Sequence, residues 1–171
     1  MITDFYGKEY NDDLSEFTQK FLGKNMSEWK CFVSDGQHCV EGVNGLTIFR
    51  EWQYQVQMFL VEPNVVIPEH AHPNVDSYEI FLRGMRFTLD GRTAVTLKRA
   101  ERAHAGGMPL YQGEILRVYP GMVHGAASSP EGGAFLSIQK WLNDKKPTTV
   151  GDDWKGDTMG NIHTDRLKRG L

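Results

Sequence analysis

The chain has 171 residues, of which 40% are hydrophobic, 24% are charged and 18 are glycine. This length is typical of one domain, and the composition is typical of a globular protein with many turns. A net charge of −3 argues against nucleic-acid binding, which requires a basic face. Two cysteines are too few for a disulfide framework, and no stretch approaches the roughly 18 apolar residues of a membrane span. We therefore expect a soluble, cytoplasmic protein that binds neither nucleic acids nor membranes.

The first predicted element is a short helix near the N-terminus. Its apolar residues recur at spacings of three and four and therefore share one face: Leu14, Phe17 and Phe21. Asp12 or Asp13 can cap the start of this helix, and Gly23 can end it. We expect the helix to pack across a sheet, and we assign residues 1–39 to the helix and an edge segment.

From about residue 40 onward, the pattern changes to short segments typical of strands. Glutamine alternates with apolar residues over residues 53–58, which predicts a strand with one buried face. The glutamines on its other face, Gln53, Gln55 and Gln57, would lie at a subunit interface or face water. Further strands are predicted at residues 46–51, 65–67, 78–82, 86–89, 93–97, 114–119 and 134–141.

Turn signals separate these strands. The dipeptides Asn44-Gly45 and Asp90-Gly91 are typical of tight hairpin turns, which need positive φ angles. Many short strands without a βαβ rhythm predict an all-β sandwich or barrel over residues 40–142. Residues 143–171 are polar and form an irregular C-terminal tail in this prediction, which wraps the barrel, exchanges with a partner or stays mobile.

Three histidines are candidate metal ligands. His70 and His72 lie between Pro68 and Pro73, and proline disfavours a helix here. Side chains two residues apart on a strand point to the same face, so these two imidazoles can converge on one ion. His124 follows a turn after the predicted strand 114–119 and can complete a three-histidine face. Neutral imidazole suits zinc, iron, nickel, manganese or copper.

The segments around these histidines resemble the two sequence motifs of the cupin family. The first motif reads Gly, five residues, His-x-His, three or four residues, Glu, six residues, Gly; the second reads Gly, five residues, Pro-x-Gly, two residues, His. Matching positions are His70, His72, Gly84, Gly113, Gly121 and His124. Asn64 stands in place of the first glycine, and asparagine tolerates the left-handed conformation. Tyr119 stands in place of the proline. The resemblance implies a double-stranded β-helix, or jelly-roll barrel, that holds one divalent transition metal per chain (Fe, Mn, Ni or Zn).

The sequence departs from the motif at the carboxylate ligand. Ser77 occupies that position, and Glu79 lies two residues further on, on the same face of a strand. Three outcomes are open. Glu79 is a fourth ligand, as the longer His-to-Glu spacing of cupin sugar isomerases implies; or the site has three histidines only, as in cupin dioxygenases; or the histidines line a pocket without a metal.

The resemblance favours a metalloenzyme that acts on a small polar molecule inside the barrel. Within that class we prefer an isomerase or epimerase of a sugar or hydroxy-carbonyl compound, with Glu79, Tyr78 and Tyr119 as candidate catalytic groups for proton transfer. The alternatives are a three-histidine Fe(II) dioxygenase and a non-catalytic module that binds a small ligand. If the ligand is an acid, Arg86 or Arg117 would hold its carboxylate. We expect a homodimer, because cupin-like folds often cover their exposed edges by pairing.

Overall fold

The computed structural model describes residues 1–23, 37–40, 42–89, 95–96 and 115–147. This part of the chain is built mainly of strands. Its elements are β1 (Ile2–Thr3), β2 (Glu9–Tyr10), α1 (Asp13–Leu22), β3 (Gln37–Val40), β4 (Val43–Glu51), β5 (Tyr54–Val61), β6 (Val66–His70), β7 (Val75–Arg83), β8 (Met85–Leu89), β9 (Val95–Thr96), β10 (Ile115–Val118), β11 (His124–Ser128) and β12 (Gly133–Trp141).

The described strands form two main antiparallel sheets. The six-stranded sheet has the order β10-β7-β12-β5-β4-β3, and the four-stranded sheet has the order β6-β11-β8-β9. Strands β1 and β2 pair separately as a small hairpin. The predicted all-β class is therefore confirmed, and the order of the strands shows long connections rather than a simple meander.

The six-stranded sheet is buried on both faces. Its inner face packs against the four-stranded sheet through one cluster of apolar side chains: Val43, Val61, Phe81, Leu116, Val118 and Phe135 with Ile67, Met85, Phe87, Leu89 and Ala126. Its outer face is covered by α1 and the N-terminal hairpin, through a second cluster: Ile2, Tyr10, Leu14, Phe21, Leu22, Val56, Tyr78, Ile80, Ile115, Leu136 and Ile138. Because strand side chains alternate between faces, every second residue of β5, β7 and β12 points into the barrel.

Helix α1 forms where it is predicted. Asp12 is the N-cap and accepts a hydrogen bond of 2.9 Å from the backbone N–H of Ser15, and Gly23 is the C-cap. The apolar face of the helix packs on the sheet, as expected; Phe17, for example, stacks on Tyr54 of β5 with ring centroids 4.3 Å apart. Within the described residues, no helix combines the length and the apolar character that a membrane span requires.

Two turn predictions differ in outcome. Asn44 and Gly45 lie inside β4, so the prediction of a hairpin turn there is wrong. The turn comes earlier, because Val40 pairs with Val43 and Gly42 takes the positive φ of 77° that the turn needs. Positions 90 and 91 lie outside the described residues, as does the predicted tail beyond residue 147.

The turns of the first cupin-like motif have the backbone that the sequence predicts. Asn64 has a φ of 58°, so the asparagine does adopt the left-handed conformation expected of the motif's glycine. Gly84 has a φ of 56°, and a Cβ at this position would lie 2.2 Å from the backbone oxygen of Gly132. Only glycine therefore fits between β7 and β8 without moving the backbone.

Candidate functional site

Three histidines converge inside the barrel. His70 ends β6, His72 follows two residues later, and His124 begins β11, where it pairs directly with His70. One ligand nitrogen from each lies within 4.8 Å of the other two. His70 and His124 are buried and His72 is partly buried. The structure thus brings together the three histidines that the sequence predicts as ligands, in a group that can hold a metal ion.

The backbone orients two of the imidazoles. Nδ1 of His70 lies 2.7 Å from the carbonyl oxygen of Pro68, and Nδ1 of His124 lies 2.9 Å from that of Met122. A carbonyl oxygen only accepts, so each Nδ1 carries the proton and each Nε2 presents its lone pair. Such an arrangement fixes both the tautomer and the direction of a metal ligand.

Burial favours the neutral form of His70 and His72. It lowers the pKa of His70 to about 3, assisted by repulsion from His124. The pKa of His72 is also well below its ordinary value, again through burial and then through the two neighbouring imidazoles. Neutral imidazole is the form that binds metals, so His70 and His72 need no deprotonation near neutral pH.

Glu79 faces the same cavity but does not belong to the three-histidine group. It lies two residues beyond Ser77 on β7, which places it about 7 Å further along the strand than the ligand position of the motif. The hydroxyl of Ser77 occupies that position instead and donates to Oε1 of Glu79 at 2.7 Å. The structure therefore brings Glu79 to the cavity without bringing it among the ligand atoms, and its role as a fourth ligand stays a prediction.

The two carboxylate oxygens of Glu79 have different surroundings. Oε1 accepts two hydroxyl hydrogen bonds, from Ser77 at 2.7 Å and from Ser137 at 2.9 Å. Oε2 is buried and makes no hydrogen bond within the described part of the chain. Burial raises the pKa of Glu79 to about 7, and the two serine hydroxyls oppose that shift. When Glu79 is protonated, the proton resides on Oε2, because Oε1 already accepts twice.

Replacing Glu79 with glutamine should make stability less sensitive to pH. In the folded protein the pKa of Glu79 is about 7, which is higher than its ordinary value of 4.5. The protonated carboxyl group therefore contributes fully to stability below pH 4.5, and this contribution is lost as pH rises through 7. The shift corresponds to roughly 3 kcal/mol of unfolding free energy. We expect the advantage of Glu79→Gln over the wild type to grow by about that amount between pH 4.5 and pH 8.

Urea unfolding at a series of pH values, with a chelator present, measures this difference. Glu131→Gln is the matched control, since Glu131 is an exposed carboxylate near a turn. A free-energy difference between Glu79→Gln and the wild type that stays constant over this pH range would contradict the raised pKa of Glu79.

Further polar residues of the cavity were missed by the sequence reasoning. The cavity has a volume of about 60 Å³, more than the roughly 10–15 Å³ that one water requires. Its polar lining, besides the histidines and Glu79, consists of Gln57, Ser77, Ser137 and Gln139. Gln53 is exposed, whereas Gln55 and Gln57 are fully buried, so the expectation that the glutamines face water or a partner is wrong for Gln55 and Gln57. The signal available in the sequence was polar residues at alternate positions of strands whose other residues are apolar.

Tyr78 and Tyr119 are not brought to the histidines. Tyr78 alternates with Ser77 and Glu79, and so lies on the outer face of the sheet, where its hydroxyl is 2.7 Å from that of Ser15. Tyr119 packs against the same outer cluster, and its hydroxyl accepts a hydrogen bond of 2.9 Å from Lys8. Both tyrosines therefore lie against the outer face of the sheet and outside the cavity lining, and these positions do not support their prediction as catalytic groups.

Neither arginine lies in the cavity lining. Arg117 is buried on the outer face and donates to Asp76 from Nε at 2.7 Å and from Nη2 at 2.6 Å. The same Nη2 donates to Asp12 at 2.8 Å. Arg86 is exposed on β8. The suggestion that either residue holds a carboxylate of the ligand is not supported by these positions.

The comparisons with known proteins found similarity to solved structures. No protein-family model and no curated protein matches the sequence. The chain is similar to the solved structure of KdgF from Halomonas sp., with 14% identity, 65% of this chain and 89% of that chain covered, and a TM-score of 0.51. It is also similar to the cupin domain of Cnp3 from Schizosaccharomyces pombe, with 12% identity and a TM-score of 0.49; the match covers 63% of this chain and 69% of that chain. A third similar structure is an RmlC-like cupin from Shewanella frigidimarina, with 15% identity and a TM-score of 0.48; the match covers 67% of this chain and 87% of that chain.

At these identities the similarity concerns the fold. The two antiparallel sheets and the inward-facing histidines of β6 and β11 are described above from the chain's own residues. The chain has the cupin fold, a double-stranded β-helix, and carries within it a three-histidine group that can hold a metal ion.

Proposed function

We propose that this protein is a metal-dependent enzyme that transfers a proton on a small hydroxy-carbonyl compound, as an isomerase or epimerase does. One observation carries the proposal. Glu79 is buried in the same cavity as the three histidines, and its Oε2 makes no hydrogen bond among the described residues. A buried carboxyl with a pKa of about 7 is suited to accept and return a proton near neutral pH.

The histidine group fits a divalent transition metal. Three imidazoles, two of them with fixed tautomers, leave coordination positions open, which is typical of catalytic rather than structural sites. A metal bound by His70, His72 and His124 would supply a Lewis acid that polarises a carbonyl or hydroxyl oxygen of the substrate. The chain's own contribution is to orient the imidazoles of His70 and His124 and to hold the three histidines inside the barrel.

Glu79 provides the complementary proton transfer. Ser77 and Ser137 hold Oε1, so the carboxyl group cannot rotate without losing two hydrogen bonds. In the ionised form, Oε2 is the basic atom that takes a proton from a carbon next to the carbonyl group. In the protonated form, Oε2 returns the proton to the former carbonyl carbon while the hydroxyl proton passes to the former carbonyl oxygen, which completes an isomerisation. An epimerisation requires that the planar intermediate present its opposite face to Oε2 before the proton returns to the same carbon.

The cavity walls favour a small substrate without a phosphate group. Among the described residues that line the cavity there is no lysine or arginine, the side chains that usually hold phosphate. Much of the wall is apolar: Val43, Phe59, Ile67, Val75, Phe87, Ala126, Phe135 and Trp141. We therefore favour an unphosphorylated hydroxy-ketone or hydroxy-aldehyde over a sugar phosphate.

Solvent exchange tests this proposal directly. The metal-loaded protein is incubated in D₂O with a panel of hydroxy-ketones, hydroxy-aldehydes and unphosphorylated sugars, and NMR follows the incorporation of deuterium next to the carbonyl group. We expect Glu79→Gln to lower the exchange rate by about 10²- to 10⁴-fold, the usual contribution of a general base. His124→Ala should abolish exchange by removing a ligand.

Two results would contradict this assignment. No exchange on any member of the panel by the metal-loaded wild type would reject proton-transfer chemistry. Loss of exchange in Tyr119→Phe, with exchange retained in Glu79→Gln, would return the proton transfer to the tyrosine that the sequence suggested.

A three-histidine Fe(II) dioxygenase is the second candidate. The position of Glu79 outside the ligand group favours it, since that leaves three neutral imidazoles as the ligand set. Oxygen consumption that depends on added Fe(II) and on a small organic substrate would support this candidate. A protein that binds small ligands equally well with and without metal, and turns none of them over, would instead be a non-catalytic binding module.

A further inference from the structure

A chain of hydrogen bonds runs from the barrel surface to Glu79. Arg50 of β4 donates from Nε to Oε1 of Gln55 at 2.7 Å. Gln55 donates from Nε2 to Oε1 of Gln139 at 3.0 Å, and Gln139 donates from Nε2 to Oγ of Ser137 at 3.1 Å. Ser137 then donates to Oε1 of Glu79 at 2.9 Å. Four links thus connect a guanidinium group to the candidate catalytic carboxyl group.

The direction of every link is determined by two groups that can only donate. The guanidinium of Arg50 must face an oxygen, so the amide nitrogen of Gln55 faces Gln139. Trp141 Nε1 also only donates, and it lies 3.1 Å from the same Oε1 of Gln139. The amide orientation of Gln139 is therefore fixed twice, and its nitrogen must face Ser137.

This orientation assigns the hydrogen of Ser137. The hydroxyl oxygen already accepts from Gln139, so its hydrogen is directed to Oε1 of Glu79. Gln139 is itself saturated, since its second N–H donates to Oε1 of Gln57 at 2.9 Å. A buried and fully connected network of this kind rigidifies the groups it contains.

We propose that Gln139 is a positioning residue, which locks the hydroxyl of Ser137 onto Oε1 of Glu79 and so confines the exchangeable proton to Oε2. The inference rests on the proposed role of Glu79. Without the amide of Gln139, the hydroxyl of Ser137 is free to rotate away, and Oε1 then competes with Oε2 for the proton. The proton would no longer be held at one atom facing the cavity.

The pKa of Glu79 reports this role without any substrate. A hydrogen bond donated to the carboxylate stabilises the ionised form of Glu79, so loss of the bond from Ser137 raises the pKa of Glu79. We expect Gln139→Met, which keeps the volume but removes the amide, to raise the pKa of Glu79 by about one pH unit, a tenfold change in its dissociation constant. Ser137→Ala should produce a similar rise, because it removes the same bond.

Infrared difference spectroscopy of the full-length chain measures this pKa. The carboxylic-acid carbonyl band is followed against pH, and Glu79→Gln assigns it by its disappearance. The other titratable groups facing the cavity, His70, His72 and His124, do not absorb in that band. Spectra of the protein as purified and after dialysis against a chelator separate the effect of any bound metal.

Gln57→Met is the matched control. Gln57 is equally buried and also bonds to Gln139, but it is not on the path to Ser137. We expect the pKa of Glu79 to be nearly unchanged in this variant. Equal shifts in Gln57→Met and Gln139→Met, or no shift in Gln139→Met while its circular dichroism is native, would overturn the inference. Exchange activity retained in Glu79→Gln would overturn the proposed function and leave the positioning result standing.

Discussion

His124→Ala is expected to abolish metal binding. The wild type should contain, or take up, about one Fe, Mn, Ni or Zn ion per chain, because three neutral imidazoles converge within 4.8 Å. Loss of a residue that only orients a metal ligand lowers metal affinity by about 10- to 100-fold, and removing one of the three ligands should lower it further. The stabilisation by added metal, about 2.7 kcal/mol at 100 times the Kd, should disappear with it. Elemental analysis and thermal unfolding with titrated metal measure both effects.

Glu79→Gln is the informative companion variant. Because Glu79 lies outside the ligand group, this variant should keep its metal at wild-type stoichiometry. Loss of metal in Glu79→Gln would instead make Glu79 a fourth ligand, the first of the three outcomes that the sequence left open. A wild type that neither contains nor takes up any of the four metals would reject the metal site.

Arg117→Met is expected to destabilise the protein by about 3–5 kcal/mol, the cost of leaving a buried charge without its partner. The side chain of Arg117 is 3% exposed and that of Asp76 is 16% exposed. Burial alone would lower the pKa of Arg117, but the carboxylates of Asp76 and Asp12 raise it above its ordinary value. The guanidinium also stacks on Tyr78 at 4.5 Å from the ring centroid. Urea unfolding at neutral pH measures the loss.

The matched control is Lys20→Met, which removes a cation from an exposed pair. Lys20 and Glu16 are 70% and 66% exposed, so this change should cost less than about 1 kcal/mol. In the double variant Arg117→Met with Asp76→Leu, no carboxylate of Asp76 remains unpaired, so part of the loss should be recovered. A cost for Arg117→Met as small as that for Lys20→Met would show that the buried ion pair contributes little.

The low pKa of Asp12 makes its ion pair with Arg117 sensitive to acid. Burial by itself would raise this pKa, but hydrogen bonds from Arg117 and Ser15 lower it to about 2. A folded-state pKa below the ordinary 3.8 stabilises the protein above that pH, and the contribution is lost as pH falls towards 2. The attachment of α1 to the sheet should therefore weaken in acid.

The sequence was sufficient for the fold class, the capped helix and the three histidines. These features depend on local rules: Asp12 caps the first turn of α1, and the His70–His72 spacing sets a common face. The turn after the predicted strand 114–119 indicated His124, which lies more than fifty residues away in the chain, and the motif resemblance supported it. Long-range pairing of β6 with β11 is what brings it to His70.

The wrong expectation for the glutamines has a physical cause. The alternation over residues 53–58 predicts a strand with one face in water, whereas the six-stranded sheet is covered on both sides. Gln55 and Gln57 are therefore buried, and both form hydrogen bonds with the side chain of Gln139 instead of with water. Tyr78 adjoins Glu79 in β7, but adjacent residues of a strand face opposite sides, so only Glu79 faces the cavity.

Alternation along β5, β7 and β12 also limits how this barrel can change during evolution. A one-residue insertion in β7 ahead of Ser77 would turn Tyr78 and Ile80 inward and Ser77 and Glu79 outward, which removes the polar part of the wall that β7 contributes. A two-residue insertion would preserve the alternation but displace Glu79 along the strand. Lineages descended from such a protein should therefore diversify by substitution at alternate positions and by loop length, while the lengths of these three strands stay fixed.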